Sequence, residues 1–164
     1  MKRPAAILFL VLLLLAGCVS SPKAGVGYIL SPEFPPRPEE AIAVRVSGVE
    51  LPDYLDRLEL VRRIGRNQIQ ISQYGRWASN LRNQLRRLLG EMLHSDAPNS
   101  VLLRFRSFTG EPRGFRVEGT AIWANGREQP FAFLVEGDCG TDEALVRKAD
   151  EALARLAAEL NGKD

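Results

Sequence analysis

Two segments of the chain place apolar residues three and four positions apart, the pattern of a helix that buries one face. They are residues 76–93 and residues 141–160. In the first segment, Trp77, Leu81 and Leu85 begin the apolar stripe, and we assign them to the core. The second segment opens with a threonine and two acidic residues, which suit an N-cap and the first turn of a helix. The pattern therefore predicts two amphipathic helices.

Elsewhere apolar and polar residues alternate, which indicates strands with one buried face. The alternating runs are residues 41–49, 60–64, 68–72, 101–106, 115–123 and 131–135, and an apolar run at 26–30 predicts an edge strand. Residues 65–67 and Asn125-Gly126 mark turns, and the second is typical of a two-residue hairpin. Trp123, at the end of one run, is assigned to the core. We therefore expect an α+β fold, a largely antiparallel sheet of five to six strands with two amphipathic helices packed on it.

Residues 51–60 interrupt this alternation. Pro52 and Asp53 suit the start of a single helical turn, with Asp53 as its cap. Tyr54 and Leu55 follow directly, and two interpretations of them stay open. They fill the core, or the turn is exposed and contacts another subunit or a partner protein.

The first residues predict a targeting segment. Two positive charges precede an uncharged apolar run over residues 5–15, which ends in Leu15-Ala16-Gly17-Cys18. The run is shorter than the roughly 20 apolar residues that span a bilayer and has the size of a signal-peptide core. Small residues before a cysteine match the bacterial lipobox, so we expect Cys18 to carry lipid. An ordinary secretory signal with a chance cysteine is the alternative.

This prediction divides the chain into three parts. Residues 1–17 are the lipoprotein signal peptide, residues 18–25 a lipidated tether, and residues 26–164 a single periplasmic α+β domain. Because Val19 follows the cysteine, where the inner-membrane retention signal of enteric bacteria has Asp, we expect anchoring in the outer membrane. Stable anchoring takes two or more acyl chains, which a lipidated Cys18 supplies.

The charge is balanced overall but uneven along the chain. The 22 Lys+Arg and 20 Asp+Glu leave a net charge of +2, which argues against binding nucleic acid by bulk attraction. Residues 57–116 hold 12 basic and 4 acidic residues, whereas residues 117–164 hold 5 basic and 10 acidic. A solvated polar surface is one interpretation. The other is a two-ended molecule whose basic side, with Arg82, Arg86 and Arg87, contacts an acidic partner, lipid head groups or another copy.

Candidate chemistry is sparse. One His and two Cys are too few for a His/Cys zinc site, which takes about four ligands. His94 has no partner that a motif fixes, and we interpret Cys139 as a small residue at a strand end. Asp138, Asp142 and Glu143 suit a turn and a helix start better than a metal cluster. We therefore expect no enzyme activity, no metal and no cofactor.

Three motifs, in this order, resemble a known family. They are VELPDYLDR at residues 49–57, RWASNL at 76–81, and FTG at 108–110 with VEGTAIW at 117–123 and FAFLVEG at 131–137. With the lipobox and Tyr28-Ile29-Leu30, they make the chain similar to the PqiC/YmbA family of ABC-type transport auxiliary lipoproteins (paraquat-inducible protein C). Many relatives carry an acidic residue and a Pro where Ser79 and Asn80 stand here.

The resemblance implies a function in lipid traffic across the periplasm. Members of the family are outer-membrane partners of MCE-domain proteins, which form tubes that reach from the inner membrane. The implied partners are therefore the outer membrane through Cys18, a PqiB-like MCE protein encoded nearby, and further copies of the chain in a ring. Two alternatives are a lipid carrier with its own apolar cavity and an unrecognised envelope hydrolase.

Overall fold

The structure, a computed structural model, describes residues 24–33, 44–93 and 99–161. These residues form a seven-stranded sheet and two helices. The strands are β1 (Val26–Tyr28), β2 (Arg45–Glu50), β3 (Glu59–Gly65), β4 (Gln68–Trp77), β5 (Ser100–Glu111), β6 (Gly114–Trp123) and β7 (Glu128–Glu136). The helices are α1 (Leu81–Leu93) and α2 (Asp142–Asn161).

The long strand β5 organises the sheet, whose main order is β1-β4-β3-β5-β6-β7. On one edge, β6 pairs with β5 in antiparallel register along its whole length. Two parallel strands share the other edge: β2 pairs with residues 100–104, and β3 reaches β5 only at Arg62 and Gly110. Residues 51–58 connect β2 to β3 beside the middle of β5, where neither strand pairs with it.

The predicted α+β class is confirmed, but the predicted sheet is wrong in two respects. The sheet is mixed, and it has seven strands among the described residues. The parallel pairs, β1 with β4, β2 with β5 and β3 with β5, join strands that are distant in the sequence. Alternation within one strand carries no information about the direction of such a partner.

The first predicted helix begins five residues too early. Arg76 and Trp77 end β4, and the Trp77 N–H donates to the Leu58 carbonyl at 2.6 Å. The helix starts at Leu81, after Asn80, whose side-chain oxygen accepts the Asn83 N–H at 3.3 Å. Trp77 still lies in the core, because the end of the strand directs it there.

The hairpin of β3 and β4 is confirmed, with residues 66–67 as its turn. The hairpin of β6 and β7 is also present, but residues 124–127 connect its strands, so its loop is longer than the predicted two residues. The Trp123 N–H donates to the Arg127 carbonyl and the Gly126 N–H to the Trp123 carbonyl, both at 2.9 Å. Gly126 has a φ of 82°, which a glycine adopts without strain.

The core lies between the sheet and the two helices, which contact each other on the same face. Four phenylalanines form its centre with edge-to-face contacts, and their ring centroids are 4.8 to 5.7 Å apart. They are Phe105, Phe108, Phe115 and Phe131. The opposite face carries polar and charged side chains, among them Arg104 paired with Glu50 at 2.6 Å.

Gly119 of β6 packs against a shift in the register of β5 between Phe105 and Ser107. A Cβ atom at position 119 would lie 2.5 Å from the Phe131 ring and closer still to the Arg104 carbonyl oxygen. Because one of these neighbours is backbone, the clash cannot be relieved by a rotamer change. This position therefore requires glycine.

We predict that Gly119→Ala lowers the free energy of unfolding by about 1–3 kcal/mol, the usual cost of overpacking. Gly90→Ala is the matched control, because no atom lies within 4 Å of a Cβ there and alanine favours the helix. The control should raise stability by about 0.5–1 kcal/mol. Urea denaturation of the chain without its signal peptide measures both. Equal stability of Gly119→Ala and the parent chain would contradict the close packing of Gly119 against the register shift of β5.

Candidate interaction surfaces

The Pro52–Leu55 turn lies beside the middle of β5. The Pro52 carbonyl accepts the Leu55 N–H at 2.9 Å, and the Tyr54 hydroxyl donates to the Arg106 carbonyl at 3.2 Å. Leu55 is buried, Pro52 and Tyr54 are half-buried, and Asp53 is exposed. The Pro52 carbonyl thus opens the turn instead of the Asp53 carboxylate that we expected as its cap. The turn therefore contributes Leu55 to the core and leaves Asp53 on the surface.

Asp56, which the sequence analysis did not single out, links this turn to the start of α1. Its carboxylate accepts the Asn80 side-chain N–H at 3.2 Å and forms an ion pair with Arg82. Asn80 in turn caps the helix, which gives this departure from the family motif a structural function. Arg82 therefore has an internal ion-pair partner, and its contact with a partner protein stays a prediction.

Arg86 and Arg87 lie elsewhere, in an open groove of about 450 Å³ between α1 and β2. We call it the α1–β2 groove, and its polar lining consists of Arg45, Asn83, Arg86, Arg87 and Glu91. Arg87 pairs with Glu91 at 3.0 Å, whereas Arg86 and Arg45 form no ion pair with a described residue. Three cations against one carboxylate make the groove positive, which suits an acidic surface.

The end of β1 and the segment that follows it hold the helices to the sheet. The Leu30 N–H donates to the buried Gln84 side chain at 2.9 Å, which ties the segment to α1. The Ser31 N–H donates to Asp150 at 2.8 Å, and the Tyr28 hydroxyl to Glu143 at 2.9 Å, which tie it to α2. Desolvation raises the pKa of Asp150 to about 6, although the Ser31 bond opposes the shift. Desolvation and the bond to Glu143 raise the pKa of Tyr28 to about 12.

The carboxylates that a metal would need are already engaged. Asp142 pairs with Arg62 and accepts the Ser72 hydroxyl at 2.8 Å, and both contacts fix the start of α2 against the sheet. Asp138 accepts the Gly140 N–H at 2.8 Å. The part of the chain that the structure describes holds no group of three or more His, Cys, Asp or Glu arranged for a metal ion.

The remaining residues that the sequence singled out are a cysteine, a histidine and those assigned to the core. Cys139 is buried, and desolvation raises the pKa of its thiol, so the reactive thiolate is disfavoured. His94 lies outside the described residues. Of the residues assigned to the core, Trp77, Leu81 and Leu85 are buried. Trp123 is half-buried, with the Arg127 guanidinium 4.8 Å from its ring centroid.

The core itself is closely packed. A pocket that reaches Trp77, Leu81 and Phe115 has a volume of only about 10 Å³. That is about the space that a single water molecule needs, so an acyl chain has no room there. None of the helices in the described ranges is both long enough and apolar enough to cross a bilayer.

Comparison with known proteins assigns the chain to a family. Residues 28–120, more than half of the chain, match the family of ABC-type transport auxiliary lipoprotein components. The chain belongs to this family. The family indicates an auxiliary lipoprotein of the cell envelope that works with transport proteins, in agreement with the resemblance seen in the motifs.

Solved structures share the fold. A crystal structure of a Xanthomonas campestris protein of the family DUF330 has a TM-score of 0.72 and 14% identity, over 84% of this chain and 93% of that chain. Another, of an uncharacterized protein, has a TM-score of 0.69 and 18% identity, over 85% and 97%. At such identities the likeness concerns the fold alone. A search of curated proteins gives no significant match.

The charge on Asp150 generates a pH prediction. Its folded pKa of about 6 lies above the usual Asp value of about 3.9. The carboxyl is therefore neutral in both the folded and the unfolded chain at the lowest pH. As pH rises from about 4 through 6, it ionises more readily in the unfolded chain, and its contribution to the free energy of unfolding is lost. Asp150→Asn keeps an oxygen that can accept the Ser31 N–H but removes the desolvated charge. At pH 7.5 the variant should be more stable by about 1 kcal/mol, after allowance for solvent screening.

The measurement is thermal unfolding from pH 4 to 8, taken as the difference between variant and parent chain. The gain should shrink towards pH 4, where the parent carboxyl is also neutral. Asp53→Asn, at an exposed carboxylate, should leave the parent profile unchanged. A gain that is constant with pH would show that the charge of Asp150 is not its cause.

Proposed function

We propose that this chain is an outer-membrane-anchored periplasmic lipoprotein and a non-enzymatic docking subunit of an MCE-type, PqiABC-like lipid transport system. Membership of the auxiliary lipoprotein family over residues 28–120 carries the proposal. The lipobox ending in Cys18 supplies the anchor, and Val19 favours the outer membrane. The far end of an MCE tube docks on the chain or on a ring of its copies.

The α1–β2 groove is the docking surface that we favour. Arg86 and Arg45 have no ion-pair partner among the described residues, so an acidic surface gains contacts there without breaking existing ones. Arginine also binds carboxylates in bidentate geometry, which adds specificity to the contact. Arg82 is left out of this surface because it does not line the groove and pairs with Asp56 beside the Pro52–Leu55 turn instead.

The Pro52–Leu55 turn serves the contact between copies in a ring. Asp53 is exposed there, and Tyr54 presents part of its ring while its hydroxyl stays bonded to β5. An exposed acidic residue on one copy complements a basic surface on the next, and such head-to-tail contacts close into rings. The close packing at Trp77 favours docking over the alternative of carrying lipid in a cavity of its own.

We predict that the double variant Arg86→Glu, Arg87→Glu weakens capture of the MCE-domain protein encoded nearby by at least about tenfold, because charge reversal replaces attraction with repulsion. Pull-down with the purified, non-lipidated chain measures this, and native mass spectrometry gives its oligomeric state. Arg147→Glu is the matched control, since Arg147 is exposed on α2 and has no ion-pair partner among the described residues. A monomer that captures no MCE protein would contradict the docking proposal.

The anchor has its own prediction. The chain expressed in an enteric host should sediment with the outer membrane, and its N-terminal peptide should carry acyl chains at Cys18. Val19→Asp should move it to the inner-membrane fraction, and a cleavable secretory signal joined to a chain with Cys18→Ala should release it into the periplasm. Membrane fractionation and mass spectrometry of the N-terminal peptide report these outcomes. An unmodified Cys18 in the mature chain would contradict lipid anchoring.

A further inference from the structure

The large exposed hydrophobic residues of the described chain are concentrated along one edge of the sheet. Seven large hydrophobic side chains are between 39% and 61% exposed. Six of them lie on β1, just after β1, or on the hairpin of β3 and β4, and the seventh, Leu58, directly precedes β3. Scattered single residues of this kind need no explanation, but a cluster on one edge indicates a contact surface.

The turn of this hairpin combines apolar and basic side chains. We call residues 64–69 the hairpin tip. Ile64 is 52% exposed and Ile69 is 42% exposed, and Arg66 between them forms no ion pair with a described residue. The whole hairpin from β3 to β4 contains four arginines and a single acidic residue, Glu59, at its other end. Exposed isoleucines beside arginine are typical of segments that lie at a membrane surface.

A second turn lies at the same end of the sheet. Because β3 and β5 run parallel through Arg62 and Gly110, the turn of β5 and β6 at residues 112–113 lies near the hairpin tip. That turn adds the exposed Arg113. Asp138 lies in the same shallow pocket as Ile64, with its carboxylate bonded to the Gly140 N–H. The end thus has exposed apolar groups among charges of both signs. Arg66 and Arg113 form no ion pair with a described residue, and Glu136 and Asp138 are the exposed carboxylates.

The direction of β1 shows which end of the molecule receives the tether. β1 runs parallel to β4, with Val26 opposite Gly75, so the chain enters β1 from the side of the hairpin tip. Cys18 lies eight residues before Val26, a reach of at most about 29 Å. From Gly75 back to Gln68, β4 covers about 24 Å. The tether therefore allows an acyl-bearing Cys18 to reach the level of the hairpin tip but little beyond it.

We propose that the hairpin tip is a second membrane contact, in which Ile64 and Ile69 enter the interfacial region of the phospholipid leaflet that holds the Cys18 acyl chains. Arg66 lies at the level of the phosphates in this arrangement. The inference rests on the proposed function in one respect, because it takes Cys18 as the lipidated residue. Its consequence is a fixed orientation, with the hairpin tip towards the bilayer and the first half of β5 away from it.

The edge of β4 offers a site to a second kind of binding partner, which the experiment has to distinguish from the bilayer. Between Gln68 and Gly75 this edge carries neither a charge nor a proline, whereas β7 on the opposite edge contains Pro130. Such an edge accepts a strand from a second copy or a partner protein. The tether favours the bilayer, since it brings lipid to this end of the molecule. The experiment separates these occupants.

The experiment uses the lipidated mature chain in vesicles of phosphatidylethanolamine and phosphatidylglycerol. An environment-sensitive fluorophore is attached through Gln68→Cys at the hairpin tip or, as the matched control, through Asn125→Cys in the β6–β7 loop at the opposite end of the sheet. A lipidated Cys18 does not react with the label, and unlabelled parent chain controls for the buried Cys139. Lipids with a nitroxide near the head group should quench the Gln68 label at least about twofold more than the Asn125 label.

Two further variants test the side chains themselves. Ile64→Ser with Ile69→Ser should reduce the difference between the two label positions to near zero, because the tip loses its apolar contact. Leu58→Ser removes an exposed leucine at the far end of β3 and should leave the difference unchanged. Unfolding curves of both variants show whether either has lost its fold, and a loss of fold in the double variant directs the test to Ile69→Ser alone.

Each other outcome overturns the inference. Equal quenching at the two positions in chains that float with the vesicles means that the tip does not meet the bilayer, while the anchor stands. Chains that fail to float show that the lipidation in the proposed function is wrong, which is a separate failure. If the Gln68 label is shielded in detergent without vesicles, and the shielding grows with protein concentration, the edge of β4 binds a second copy instead. Shielding only after an MCE-domain protein is added assigns it to that partner.

Discussion

The fold depends on one constraint: a single edge of β5 has to be hydrogen-bonded by two separate strands. Buried backbone groups that find no partner cost free energy, so the stretch between β2 and β3 has to be satisfied in another way. The connection through residues 51–58 supplies one such bond, from the Tyr54 hydroxyl to the Arg106 carbonyl, where the register of β5 shifts. Asp56 then ties the same connection to α1 through Arg82. Sheet and helix layers are thus linked at the point where the edge changes partner.

This division of β5 separates the two surfaces to which we propose different functions. β3 lies beside the second half of β5, followed by β4 and β1. These strands and the residue after β1 carry the exposed isoleucines, and in our proposal they receive the tether. The first half is bordered by β2, with α1 and the basic α1–β2 groove above it. A lipoprotein that joins a membrane to a transport partner needs such a separation, because a surface that lies against lipid cannot also bind protein. The two proposals therefore use opposite ends of one strand.

Local patterns in the sequence predicted the elements well and their partners poorly. The helical stripe of α2 and both hairpins follow from periodicity and turn residues, which act over a few positions. The spacing of Trp77, Leu81 and Leu85 suggested a helix over residues that belong partly to β4, because strand pairing with Leu58 and Tyr28 overrides a local pattern. The ion pair of Asp56 and Arg82 joins residues 26 positions apart, and no local signal indicates it.

The basic middle of the chain also needed the structure before it could be interpreted. Its local excess of positive charge suggested one basic face, yet several of its arginines have carboxylate partners within the fold. Arg62 pairs with Asp142, Arg82 with Asp56, and Arg116 with Glu111 and Glu118. Surface ion pairs of this kind add little stability, but they withdraw cations from binding. Those left without a described ion-pair partner include Arg86 in the α1–β2 groove and Arg66 and Arg113 at the other end. Arg45, which lies outside this stretch of the sequence, adds to the groove. The cations without a described ion-pair partner are therefore divided between two sites, which we propose contact a protein surface at one end and phosphate head groups at the other.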